Sequence, residues 1–150
     1  MNEPSILYVD DDPDGCAFMS VWLEQGGNYH VRTVDDAVVA ITLIGQEKFD
    51  LYLLDYCLPD VTGVELCKII RLTSPLAPII FYSALDREID RMMAAHAGAD
   101  CFLVKPNELE QLLPTINTFI NHAEKFAEKK IEAPPKHPGH ARRMKASGII

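Results

Sequence analysis

Four places along the chain hold residues able to do chemistry together. Asp10-Asp11-Asp12, Asp55, Ser83 and Lys105 each stand at the end of a short apolar run. Asp10, Asp11 and Asp55 gathered at one point would repel one another and raise each other's pKa unless a cation sat among them. Carboxylate oxygens with water are the ligand set of Mg²⁺, which takes few protein ligands and keeps several waters. Lys105 would bring a counter-charge to the same point, pairing with an aspartate at rest and with an anionic oxygen after a reaction. Each residue also has a plainer reading. Asp10–Asp12 suits a solvated turn with Asp12 or Asp14 at the start of a helix, Lys105 before Pro106 suits an exposed charge, and Ser83 suits a turn. Two acid-ending runs aimed at one spot favour the chemical reading of the acids. The Lys105-Pro106 bond is a candidate cis peptide.

The runs that deliver these residues are strand-like. Ile6–Val9, Leu51–Leu54, Ile79–Tyr82 and Cys101–Val104 are nearly continuous in apolar residues, as parallel strands covered on both faces are. Tyr29–Thr33 alternates with polar residues and suits an edge. Helical patterns fill the gaps: Asp14–Gln25 with Phe18, Val21 and Trp22; Asp35–Gln46 with Ala37, Val38, Ile41 and Ile44; Val64–Leu72 with Leu66, Ile69 and Ile70; Arg87–Ala97, stopped by Gly98; and Asn107–Phe126. Pro114 inside the last pattern predicts a kink or a late helix start. This alternation predicts a doubly wound α/β sheet of five parallel strands. Ligands of such a sheet sit beyond the carboxyl ends of the strands, where Asp10, Asp55, Ser83 and Lys105 all fall.

Composition sets the outer bounds. With 150 residues, 48% hydrophobic and 24% charged, the chain suits one globular domain with a real core. Fourteen Lys and Arg against 22 Asp and Glu give a net charge of −8, which argues against nucleic-acid binding by the body of the domain. The charge is uneven: residues 129–150 carry +5, which leaves −13 on residues 1–128. No apolar run approaches the roughly 20 residues of a membrane span. Cys16, Cys57, Cys67 and Cys101 are scattered, as reduced thiols of a cytosolic protein would be. The expected layout is a folded domain over residues 4–126 and a basic, flexible tail over 127–150.

Four segments carry a resemblance. Tyr8-Val9-Asp10-Asp11-Asp12-Pro13, Leu53-Leu54-Asp55-Tyr56-Cys57-Leu58-Pro59-Asp60-Val61-Thr62-Gly63, Ile79-Ile80-Phe81-Tyr82-Ser83-Ala84 and Phe102-Leu103-Val104-Lys105-Pro106 together resemble the receiver domain of bacterial two-component response regulators. The resemblance implies a flavodoxin-like (βα)5 fold with strand order 2-1-3-4-5. It implies Asp55 as phosphoacceptor from the phosphohistidine of a sensor histidine kinase or phosphotransfer protein. It also implies Mg²⁺ held by Asp11, by Asp10 through water, by Asp55 and by the backbone carbonyl of Cys57. Lys105 would contact the phosphoryl group, Ser83 would be the switch hydroxyl, and Phe102 the aromatic that follows it. Such a chain is no enzyme toward an external substrate beyond this transfer and its own dephosphorylation. It would be cytoplasmic, acting as a stand-alone receiver on an unnamed downstream protein, with homodimerisation on phosphorylation left open.

This sequence departs from the family in places. Thr62 stands where an Asp often precedes the Gly, and its hydroxyl keeps the turn feasible. Leu85 should hinder an attacking water, and Cys57 puts a thiol beside Asp55. Two other classes compete. A pseudo-receiver used only for docking or dimerisation would normally have lost an acid, the Lys or the hydroxyl. A Mg²⁺-dependent phosphohydrolase would place a second Asp two residues after its nucleophile, where Cys57 stands.

Overall fold

In the computed structural model, which describes residues 2–132, five strands and five helices alternate. They are β1 (Ser5–Val9), α1 (Pro13–Gly26), β2 (His30–Val34), α2 (Ala37–Gln46), β3 (Leu51–Leu54), α3 (Gly63–Thr73), β4 (Ile79–Ser83), α4 (Glu88–Ala97), β5 (Cys101–Val104) and α5 (Leu109–Glu132). The strands form one parallel sheet in the order β2-β1-β3-β4-β5, as expected. β2 is an edge, and only Val31 and Val34 of its five residues are buried, which fits that place.

Period-2 alternation splits the sheet's side chains between two cores. Leu7, Val9, Tyr52, Leu54, Ile79 and Phe81 pack under α2, α3 and α4. Ile6, Tyr8, Leu51, Leu53, Ile80 and Tyr82 pack under α1 and α5. The chain leaves β1 toward β2 on one side and returns to β3 on the other, so a crevice opens between the carboxyl ends of β1 and β3.

Helix starts follow local chemistry. The Asp12 side chain caps α1 and Pro13 occupies its first turn. Asp36 caps α2, accepting from Val38 N at 2.6 Å and Val39 N at 3.3 Å. Thr62 and Glu65 form a capping box at α3, so the hydroxyl expected to preserve the turn builds the helix start. Gly98 ends α4 at φ 110°, a conformation that favours glycine.

Three expectations change. The buried stripe of α1 is Cys16, Met19 and Leu23, while Phe18 and Val21 are about half exposed and Phe18 stacks on Trp22, which packs partly buried against the core. Both stripes have helical spacing, and packing against the sheet selects the one that turns inward. Val38 of α2 is exposed for the same reason, and Ala40 takes its place. α5 starts at Leu109 and runs to Glu132 with Pro114 inside it, so the late start is not found. Residues 133–150, most of the expected basic tail, lie outside the described residues.

Candidate phosphoacceptor site

β1 and β3 place their terminal acids side by side. The Asp10 amide donates to Val34 O at 3.1 Å and the Asp55 amide to Val9 O at 2.9 Å, extending both ladders by one residue. Asp10 is 1% exposed and Asp55 8%, whereas Asp11 is exposed at the rim. Carboxylate oxygens of Asp10, Asp11 and Asp55 all lie within 4.8 Å of one another. Hard oxygens of three acids, at one partly open point, fit a small divalent cation such as Mg²⁺.

Lys105 enters from the end of β5. Its Nζ donates to Asp10 Oδ2 at 2.5 Å and to Asp55 Oδ2 at 3.3 Å, and lies 5.5 Å from the centre of the Tyr82 ring. The Lys105-Pro106 peptide is cis, as its sequence position suggested. Burial disfavours the Lys105 charge, but the hydrogen bond it donates to Asp10 and the nearby charge of Asp55 outweigh it, so its pKa is raised. Burial also pushes Asp10 up, yet bonds from Lys105 Nζ, the Tyr8 hydroxyl and the Asp12 amide hold it below its ordinary value. Asp55 goes the other way. Burial raises its pKa, the Asp10 charge adds to this, and Lys105 with the Ser83 hydroxyl offsets only part.

Ser83 is buried at the end of β4, and its Oγ accepts from the Leu85 amide at 3.4 Å. Ala84 beside it is exposed. Phe102, half-buried on β5, stacks on Phe81 with centroids 6.0 Å apart, and the Arg91 guanidinium lies 5.2 Å from its ring centre. The structure thus gathers Asp10, Asp11, Asp55, Ser83 and Lys105 at one sheet edge, with Phe102 one step behind. Cys57 follows Asp55 on the loop, and its amide donates to Asp55 Oδ1 at 3.4 Å. Its residue is exposed at the surface, and partial desolvation together with the Asp55 charge raises the thiol's pKa, which favours the protonated form.

This sequence is matched over residues 6–117 by the family described as "Response regulator receiver domain". The chain belongs to that family. Among curated relatives, the receiver domain is 32% identical over 119 residues to the alkaline phosphatase synthesis transcriptional regulatory protein PhoP of Bacillus subtilis, covering 79% of this chain and 49% of the relative. It is 36% identical over 120 residues to the nisin biosynthesis regulatory protein NisR of Lactococcus lactis, covering 80% and 52%. The chain therefore spans about half the length of these relatives. A CheY-like receiver domain protein from Methanospirillum hungatei superimposes with a TM-score of 0.75 at 27% identity, covering 83% of this chain and 98% of that one. The non-phosphorylated HemR receiver domain of Leptospira biflexa does so at 0.72 and 30%, covering 79% and 94%.

Sequence reasoning passed over two contributors to this receiver site. Tyr8 sits inside an apolar strand run, yet it shares a face with Asp10 and its hydroxyl donates to Asp10 Oδ2 at 2.5 Å. The i, i+2 spacing on β1 carries that signal. Gly63, quoted only as part of a motif, is needed for space: a Cβ there would overlap the Asp55 carbonyl oxygen and come within 2.9 Å of the Phe81 ring and Tyr56 Cα.

Proposed function

We propose that this receiver domain accepts a phosphoryl group on Asp55 from the phosphohistidine of a sensor histidine kinase or phosphotransfer protein, in a Mg²⁺-dependent reaction that changes what the domain binds. The observation that carries this reading is Lys105 Nζ shared between Asp10 and Asp55, two acids delivered by separate strands to one point. Asp10, Asp11, Asp55 and the backbone carbonyl of Cys57 would hold the metal. When bound, Mg²⁺ would supply positive charge against the acids and the phosphoryl oxygens.

An aspartate is a weak nucleophile toward phosphorus, so transfer depends on positioning and charge neutralisation. The Asp55 carboxylate attacks phosphorus while the P–N bond to the donor imidazole breaks, and the nitrogen keeps the electron pair and takes up a proton. Ladder bonding at its amide and the close approach of Gly63 hold Asp55 in place. Lys105 leaves Asp55 for a phosphoryl oxygen, and the Tyr8 and Asp12 bonds keep Asp10 oriented as it does. The acyl phosphate adds negative charge at Asp55, which draws in the Ser83 hydroxyl; Phe102 follows. A related solved structure is described as the BeF3-activated DrrB receiver domain, which supports the same chemistry here.

The test is intact-protein mass after incubation with acetyl phosphate and Mg²⁺, beside Asp55→Asn and a metal-free control. A gain of one phosphoryl mass that needs both Asp55 and Mg²⁺ is the expected result. No adduct, with beryllofluoride and Mg²⁺ also failing to bind, overturns the phosphoacceptor role and leaves a docking module.

A further inference from the structure

Asp10 faces the acid cluster with most of its hydrogen-bonding capacity already taken. A carboxylate offers about four lone-pair sites on its two oxygens. Oδ2 accepts from the Tyr8 hydroxyl at 2.5 Å and from Lys105 Nζ at 2.5 Å. Oδ1 accepts from the Asp12 amide at 3.0 Å. The start of α1 crowds Oδ2 as well, since a Cβ on Gly15 would lie 3.5 Å from it. What Asp10 has left for a cation is therefore on Oδ1.

The two donors on Oδ2 differ in how easily they leave. Lys105 is about a quarter exposed and divides its ammonium between Asp10 and Asp55, so it can move to another anion. Tyr8 is 1% exposed and belongs to the core under α1 and α5, with Met19, Leu23, Leu53 and Ile80. Its strand lies inside the sheet, between β2 and β3. The ring cannot swing aside as a surface side chain would, so its hydroxyl stays at Oδ2.

Coordination chemistry says which cation this suits. Ca²⁺ takes about six to eight oxygens at about 2.3–2.6 Å and accepts a carboxylate through both oxygens. Mg²⁺ holds an octahedron at about 2.0–2.1 Å and keeps several waters in it. A carboxylate confined to one oxygen meets the needs of Mg²⁺ and denies Ca²⁺ a two-oxygen grip.

We propose that Tyr8 is a positioning residue that sets the choice of cation: its buried hydroxyl keeps Asp10 Oδ2 out of coordination and so favours Mg²⁺ over Ca²⁺. The inference rests on the phosphoacceptor reading and adds metal selectivity to that site. Tyr8→Phe keeps the ring and its packing, releases a lone pair on Oδ2, and lets the carboxylate turn to offer both oxygens. Ca²⁺ gains a ligand atom from this, whereas Mg²⁺, which keeps water in such positions, gains little. One hydrogen bond to a charged acceptor corresponds to about a tenfold change in an equilibrium constant.

The experiment titrates the full chain and Tyr8→Phe with Mg²⁺ and with Ca²⁺ separately, following the amide NMR signals of residues 10–12 and 55. The wild-type chain is expected to prefer Mg²⁺. In Tyr8→Phe the Ca²⁺ affinity is expected to tighten about tenfold while the Mg²⁺ affinity moves less than about threefold, so the preference shrinks. A merely structural hydroxyl would move both cations together, so an equal shift for both, or no shift, overturns the inference. Tyr8→Leu, which also lacks the hydroxyl, carries the same comparison if Tyr8→Phe does not fold. A wild-type chain that binds Ca²⁺ at least as tightly as Mg²⁺ overturns the inference without any variant. A wild-type chain that binds neither cation, and takes no beryllofluoride, overturns the phosphoacceptor reading and the inference with it, and that failure shows in the wild-type arm alone.

Discussion

Replacing Lys105 with Met removes the ammonium from between two buried acids while keeping most of the stem. Coulomb's law at an effective dielectric near 20 gives about 7 kcal/mol of attraction for a contact of 2.5 Å and about 5 kcal/mol for one of 3.3 Å. Desolvation of the three charges offsets most of this, and breaking a buried pair by removing one partner costs about 3–5 kcal/mol. Lys105 is about a quarter exposed, so the lower half of that range is expected at pH 7 without metal. The loss has a sign that can be followed with pH. Without the lysine, Asp10 and Asp55 repel and their folded-state pKa values rise, so the penalty is full above those values. It fades as pH falls and the pair takes up a proton. Added Mg²⁺ restores charge at the same point and should return part of the lost stability. Urea unfolding at pH 7.5 and 5.0, with and without Mg²⁺, reads all of this. A variant within about 1 kcal/mol of wild type at both pH values and indifferent to Mg²⁺ would refute the view that Lys105 neutralises the acid pair.

Asp55→Asn is expected to raise the thermal midpoint of the metal-free protein, because the fold raises the Asp55 pKa and the ionised form is held at a cost. That gain is full above the folded pKa of Asp55 and vanishes below the ordinary carboxylate value, which a calorimetric pH series checks. Gly63→Ala should destabilise by about 1–3 kcal/mol and slow adduct formation from acetyl phosphate, since its methyl group displaces the Asp55 backbone. Thr62→Ala should cost about 1 kcal/mol in urea unfolding through loss of the capping box, while adduct formation persists.

Much of the site was legible because strand ends are local features. Apolar runs that stop at Asp10, Asp55, Ser83 and Lys105 name both the strands and what they deliver, and parallel topology sends all four to one edge. The family resemblance added roles to residues already singled out. The partners of those residues were less visible. Tyr8 looked like one more apolar strand residue until packing set its hydroxyl against Asp10.

The amino-acid order by itself determined the alternation of strand and helix, the edge character of β2, the helix stop at Gly98 and the set of charged residues at the strand ends. These follow from backbone periodicity and short-range capping, which act within a few residues. The tertiary structure alone decided which stripe of α1 faces the sheet, burying Cys16, Met19 and Leu23 and leaving Phe18 outside. It also decided the opposite pKa directions of Asp10 and Asp55. Helix phase and the field at a carboxylate depend on ångström-scale distances between segments up to 95 residues apart, as from Asp10 to Lys105. Only packing sets such distances.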